Sequence, residues 1–112
     1  MRLKQIAYLS IVACLLWPTT VLSTPYFWDG NKLYSHCGDS APAHQDMCAS
    51  YILGAVDLLT GLKGLCVPKN MTVRQVVDIV TKHLRDSPET RNYPATYEID
   101  VALASFHCKN SN

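Results

Sequence analysis

The sequence predicts an all-α fold, a small bundle of about four helices stapled by two disulfides, and three observations carry that prediction. Apolar residues recur at three-and-four spacing in successive segments, with no strand-like alternation and no internal repeat. Four cysteines, Cys37, Cys48, Cys66 and Cys108, are spread through the chain beyond its N-terminal apolar run. The 112-residue chain has room for one domain whose core alone would be marginal, so covalent staples are expected.

The N-terminus sets the compartment. Arg2 and Lys4 precede a nearly continuous apolar run from Ile6 to Trp17, and small polar residues follow up to Ser23. The run is shorter than the ~20 residues a membrane-spanning helix needs. It reads as a signal peptide over residues 1–23, cleaved after Ser23, which leaves residues 24–112 as a single helical domain with no membrane contact. The alternative is a lipoprotein box at Ile11-Val12-Ala13-Cys14. It is disfavoured because the apolar run continues past Cys14 through Leu15, Leu16 and Trp17.

After cleavage the chain carries eight basic and nine acidic residues, a formal charge of −1 with neutral histidines. Lysines and arginines stand singly among acids, whereas a nucleic-acid binder needs a clustered basic surface to release counterions. No nucleic-acid partner is expected. An even number of cysteines in an exported chain reads as a disulfide framework. Zinc is disfavoured, because no two cysteines have the short spacing of zinc ribbons and His36, His44, His83 and His107 form no matching pair.

Asp29 can cap a short first helix carrying Leu33, Tyr34 and Cys37 on one side. Gly38 to His44, with Pro42, reads as a turn. The second helix is the clearest: Cys48, Tyr51, Ile52, Ala55, Leu58, Leu59 and Leu62 form one apolar face. Gly64 supplies a left-handed stop, and Cys66 and Pro68 lie in a connection that cannot continue the helix. Thr72 and Gln75 form a capping box at the start of a third helix with core face Val73, Val76, Val77, Val80 and Leu84. Asn70-Met71-Thr72 also spells a glycosylation acceptor, but the cap explains Thr72 without it. Pro94 suits the first turn of a fourth helix, capped from the neighbourhood of Asn92 and Tyr93. That helix carries Ile99, Ala102, Leu103 and Phe106 and ends at His107-Cys108. Antiparallel neighbours with short loops place Cys37 beside Cys48 and Cys66 beside Cys108.

No catalytic constellation is recognisable: there is no Gly-x-Ser-x-Gly turn, and Gly61-Leu62-Lys63-Gly64 lacks the rest of a phosphate loop. The chain therefore reads as a binding protein with no catalytic residues, no metal site and no cofactor. Ser50, Gly54, Asp57 and Gly61 form a stripe of small residues on the second helix. The stripe suggests close approach by another element of the chain, such as the Tyr26-Phe27-Trp28 arm, or a dimer seam. The arm itself either covers the core or anchors a partner. The scattered histidines read as solvated side chains, with a pH sensor as the alternative.

A set of residues in order also resembles a known family. Cys48-x-x-Tyr51-Ile52-x-Gly54-x-x-Asp57, then Cys66-x-Pro68, Thr72-x-x-Gln75, Leu84 with Pro88, and Ala102-Leu103 ending in Phe106-x-Cys108 resemble the Rap/Tai family of immunity proteins. These proteins protect bacteria from amidase effectors of type VI secretion, and the likeness runs from about Phe27 to Cys108. It implies a periplasmic, all-helical, dimeric protein that binds a peptidoglycan-cleaving amidase and blocks its active-site groove. Cys48, Cys66 and Cys108 carry over as frame cysteines, and Gly54 and Asp57 as helix positions. The inserting element is expected to be the polar, proline-bounded loop with Arg85, Glu89, Arg91, Asn92 and Tyr93, because loops on a rigid scaffold carry function. Two other classes stay open: a periplasmic acid-stress chaperone or other small periplasmic binding protein, and a secreted enzyme whose site is assembled from distant residues.

Overall fold

A computed structural model describes residues 26–109, so the expected signal peptide and its cleavage site lie outside the described residues. Four α-helices follow in order: α1 (Gly30–Cys37), α2 (Pro42–Lys63), α3 (Val73–Asp86) and α4 (Ala95–Ala102). Short 3-10 turns at Pro88–Thr90 and Ala104–Phe106 flank α4. Every helix touches the other three, so one core serves all of them. Leu33, Ile52, Leu59, Val80, Leu84, Ile99 and Leu103 fill it, and each such side chain contributes about 1.5–3 kcal/mol on burial.

Several boundaries follow from the expected local chemistry. Asp29 accepts the Lys32 N–H at the start of α1. Gly64, at φ 66°, is the left-handed cap of α2. The Thr72 hydroxyl accepts the Gln75 N–H while the Gln75 side chain accepts the Thr72 N–H, a complete capping box. The disulfides join Cys37 to Cys48 and Cys66 to Cys108, as antiparallel neighbours require.

Other expectations need correction. Helix α2 begins at Pro42, so the preceding turn ends at Ala41 rather than His44. Proline's fixed φ suits the first helical position, where its missing N–H costs nothing. The Asp39 carboxylate accepts the Ala41 N–H and pairs with His44, and these two contacts hold its carboxyl below the ordinary value. Helix α4 stops at Ala102, and the chain to Cys108 is a 3-10 turn followed by an extended segment. That segment pairs with the α2–α3 connection: Cys66 N–H donates to Phe106 O at 2.7 Å, and Cys108 N–H to Gly64 O at 2.8 Å. The apolar face of α2 is also narrower than its periodicity suggests. Cys48, Ile52, Ala55 and Leu59 are buried, whereas Leu58 and Leu62 are 55% and 74% exposed. On α3 the buried positions are Val76, Val80 and Leu84, with Val73 exposed.

The small-residue stripe is likewise open. A methyl placed on Gly54 or Gly61 would meet nothing within 4 Å among the described residues, and Ser50 and Asp57 are exposed. The arm lies elsewhere, with Trp28 stacked on Tyr51 at 4.8 Å and tilted against His36 at 4.5 Å. Trp28 thus covers the core, while Tyr26 and Phe27 stay outside it. The crowded glycine is Gly30, where a Cβ would fall 2.9 Å from both Cα and O of Arg91.

Candidate protein-binding surface

The connector between α3 and α4, residues 87–94, is irregular backbone that is hydrogen-bonded on both sides. The last carbonyls of a helix and the first N–H groups of the next lack intrahelical partners and must find them elsewhere. Arg91 supplies one set: its Nε donates to Leu84 O at 2.6 Å and an Nη to Arg85 O at 3.4 Å, at the end of α3. The main chain supplies the other. Gly30 N–H donates to Tyr93 O and Asn31 N–H to Arg91 O, both at 3.0 Å, at the start of α1. Only glycine at position 30 lets the α1 backbone come this close to Arg91.

The N-terminal arm adds a third attachment. Asp29 and Pro94 pair as an isolated antiparallel bridge, and Ala95 N–H donates to Trp28 O at 3.0 Å. Tyr26 donates its hydroxyl to Asn92 O, and the Asn31 amide donates to Asn92 Oδ1, each at 3.1 Å. Asn92 therefore ties the arm and α1 to the connector. It does not cap α4, whose N-cap is Pro94 with no side-chain hydrogen bond.

Fixing the connector in this way leaves aromatic side chains outside. Tyr93 and Tyr97, one on the connector and one a turn into α4, are half exposed with ring centroids 5.3 Å apart. Tyr26 is also half exposed and Phe27 fully so, on the arm that runs beside Tyr93. Glu89 is exposed on the 3-10 turn. The result is a set of exposed aromatic side chains on and beside a connector whose backbone is already hydrogen-bonded and need not be ordered on binding. Tyrosine suits such a surface, because it gives large contact area at low conformational cost.

The expected site residues therefore divide. Glu89, Asn92 and Tyr93 share the surface. Arg91 turns inward, its guanidinium 4.1 Å from the ring centroid of Tyr34, so it positions the connector. Arg85 lines a separate groove between α2 and α3 with Asp46, Arg74, Asp78 and the Cys37–Cys48 bridge. Tyr97 was missed by the sequence reading, although its position four residues after Tyr93 across a helix start could have signalled it.

Glu98 was missed too. It is fully buried, accepting from His83 Nε2 at 2.7 Å and from the Thr90 hydroxyl at 3.1 Å, and its other oxygen has no partner. An unmatched buried group of this kind costs about 1–3 kcal/mol. The other histidines are engaged as well: His36 with Lys32 O, His44 with Asp39, and His107 with Asp100 and Lys63 O. His44 is exposed to solvent as expected, whereas His36 is buried and His83 and His107 are partly so. Among the described residues no cluster of His, Cys, Asp or Glu could hold a metal ion, and no helix is long and apolar enough to cross a membrane.

Comparison with known proteins places this architecture. No curated protein and no solved structure matches the chain. A family model described as Rap1a immunity proteins matches residues 29–108, from the N-cap of α1 to the last disulfide cysteine. With most of its length covered by that model, the chain belongs to the Rap1a immunity protein family.

Proposed function

We propose that the mature chain is a periplasmic immunity protein that binds and inhibits a peptidoglycan amidase effector of type VI secretion. Membership of the Rap1a immunity protein family is the observation that carries this reading. Export by a cleaved signal peptide over residues 1–23 belongs to the same proposal, since a cell-wall amidase acts in the periplasm. Inhibition is by occlusion. The connector and arm present Tyr93, Tyr97, Tyr26 and Phe27 from a backbone already bonded to α1 and α3, so docking against the effector orders little new chain.

Periplasmic co-expression with each type VI amidase effector of the organism that encodes the chain tests it. Cells carrying the wild-type chain are expected to keep growing while cells without it lyse. A chain substituted Tyr93→Ala and Tyr97→Ala is expected to fold and protect poorly. Lysis despite wild-type protein in the periplasm would end the immunity assignment. Full protection by the double variant would move the contact away from this surface.

A further inference from the structure

Glu98 sits where an apolar side chain would complete the core. Its carboxylate instead gathers four parts of the chain. It stands on α4, takes the His83 Nε2 contact from α3 at 2.7 Å and faces the Thr90 hydroxyl of the 3-10 turn at 3.1 Å. Its Cγ packs against α1, where a methyl on Gly30 would lie 3.1 Å away. Buried ion pairs can often be replaced by apolar residues of similar volume without loss of stability. Stability alone therefore does not account for a fully buried acid with one bare oxygen.

We propose that Glu98 is a positioning residue for the aromatic surface: acting through Thr90 and His83, it holds the connector in the shape that presents Tyr93. The path is short. The one hydroxyl proton of Thr90 is shared between Ser87 O at 3.2 Å and Glu98 Oε2 at 3.1 Å, and only the second of these acceptors ties that side chain to α4. The Thr90 carbonyl accepts the Tyr93 N–H at 2.9 Å, and the Tyr93 carbonyl accepts the Gly30 N–H at 3.0 Å. A buried oxygen is thus linked, one residue at a time, to the backbone that carries an exposed phenol. The proposal rests on the immunity reading only for the purpose of that shape; the shape itself is a property of the free protein.

Amide hydrogen exchange on the mature protein alone tests it, using Glu98→Met, Thr90→Val and Thr90→Ser. Glu98→Met keeps the volume and removes the carboxylate, and Thr90→Val removes only the hydroxyl. Both are expected to keep the slow exchange of Ile52 and Leu59 in α2 while the N–H groups of Gly30, Asn31 and Tyr93 exchange about tenfold faster. Thr90→Ser, which retains the donor, is expected to stay near wild type. Unchanged exchange at those three amides would overturn the proposal. Equal acceleration throughout α2 would also overturn it, because Glu98 would then be an ordinary structural residue. If Glu98→Met does not fold, Thr90→Val decides the matter alone. Binding to the type VI amidase effectors of the same organism is measured separately: a wild-type chain that binds none of them removes the immunity reading and leaves the exchange result standing. Wild-type inhibition with an unaltered exchange pattern removes the role of Glu98 and leaves the immunity reading intact.

Discussion

A methyl group at position 30 would lie 2.9 Å from backbone atoms of Arg91, whereas the same group at position 54 would meet no atom of the described chain within 4 Å. The two glycines therefore carry opposite expectations. Gly30→Ala forces α1 and the connector apart and is expected to cost about 1–3 kcal/mol, the usual range for overpacking. Gly54→Ala fills open space on a helix and is expected to stabilise by roughly 0.5–1 kcal/mol through backbone entropy. Urea unfolding of both variants checks this, and a destabilised Gly54→Ala would show that something covers the stripe. Sequence pattern drew attention to Gly54 and Gly61, which no other part of the described chain approaches, and passed over Gly30, which one does. Spacing along one helix shows which residues share a face, but not whether a distant loop lies against it. Arg91 illustrates the same limit, since its polar setting between two prolines says nothing about the Leu84 and Arg85 carbonyls it satisfies.

Among the elements, helix boundaries were legible where a residue caps its own helix. Asp29, Thr72 with Gln75, and Gly64 act within a few residues of themselves, so the sequence contains the whole interaction. The end of α4 was not legible, because the segment after Ala102 is drawn into pairing with Leu65 and Cys66 across the fold. Glu98 lay on the core face of α4, three residues after the buried Ala95 and one before the buried Ile99, yet its charge argued for solvent. The same helix carries Asp100, which links it to the end of α2. Lys63 donates to Asp100 at 2.7 Å and His107 lies 3.1 Å from it. The Lys63 hydrogen bond, with a smaller effect from His107, holds the Asp100 carboxyl below its ordinary value. A carboxyl depressed in the folded state adds stability that is present above its unfolded pKa and is lost as pH falls through the folded one. Denaturation measured from about pH 5 to about pH 2 should therefore show a smaller acid loss of stability in Asp100→Asn than in wild type. Equal losses would mean that the Lys63–Asp100 link contributes nothing to folding.

Across the described residues, four helices and two bridges make one body, and the bridges are unequal. Cys37–Cys48 spans 11 positions and Cys66–Cys108 spans 42. Loop-closure entropy gives about 3 kcal/mol for the first and about 4 kcal/mol for the second. Replacing Cys66 and Cys108 together by serine should thus lower stability by about 1 kcal/mol more than replacing Cys37 and Cys48. Thermal unfolding of the two double variants compares them directly. Both pairings were legible in the sequence, because chain order and short loops leave few neighbours for each cysteine. The candidate surface draws on exposed side chains from both ends of the described chain, Tyr26 and Phe27 with Tyr93 and Tyr97, and sequence spacing does not show such distant residues together. Inhibition of an amidase through that surface is checked by titrating the purified mature chain into the type VI amidase effectors of the organism that encodes it while following peptidoglycan cleavage. Cleavage should fall to zero at a stoichiometric ratio, and Tyr93→Ala should weaken the inhibition constant by about 30-fold, the loss expected for a hot-spot residue. Undiminished cleavage at saturating wild-type protein would contradict the account.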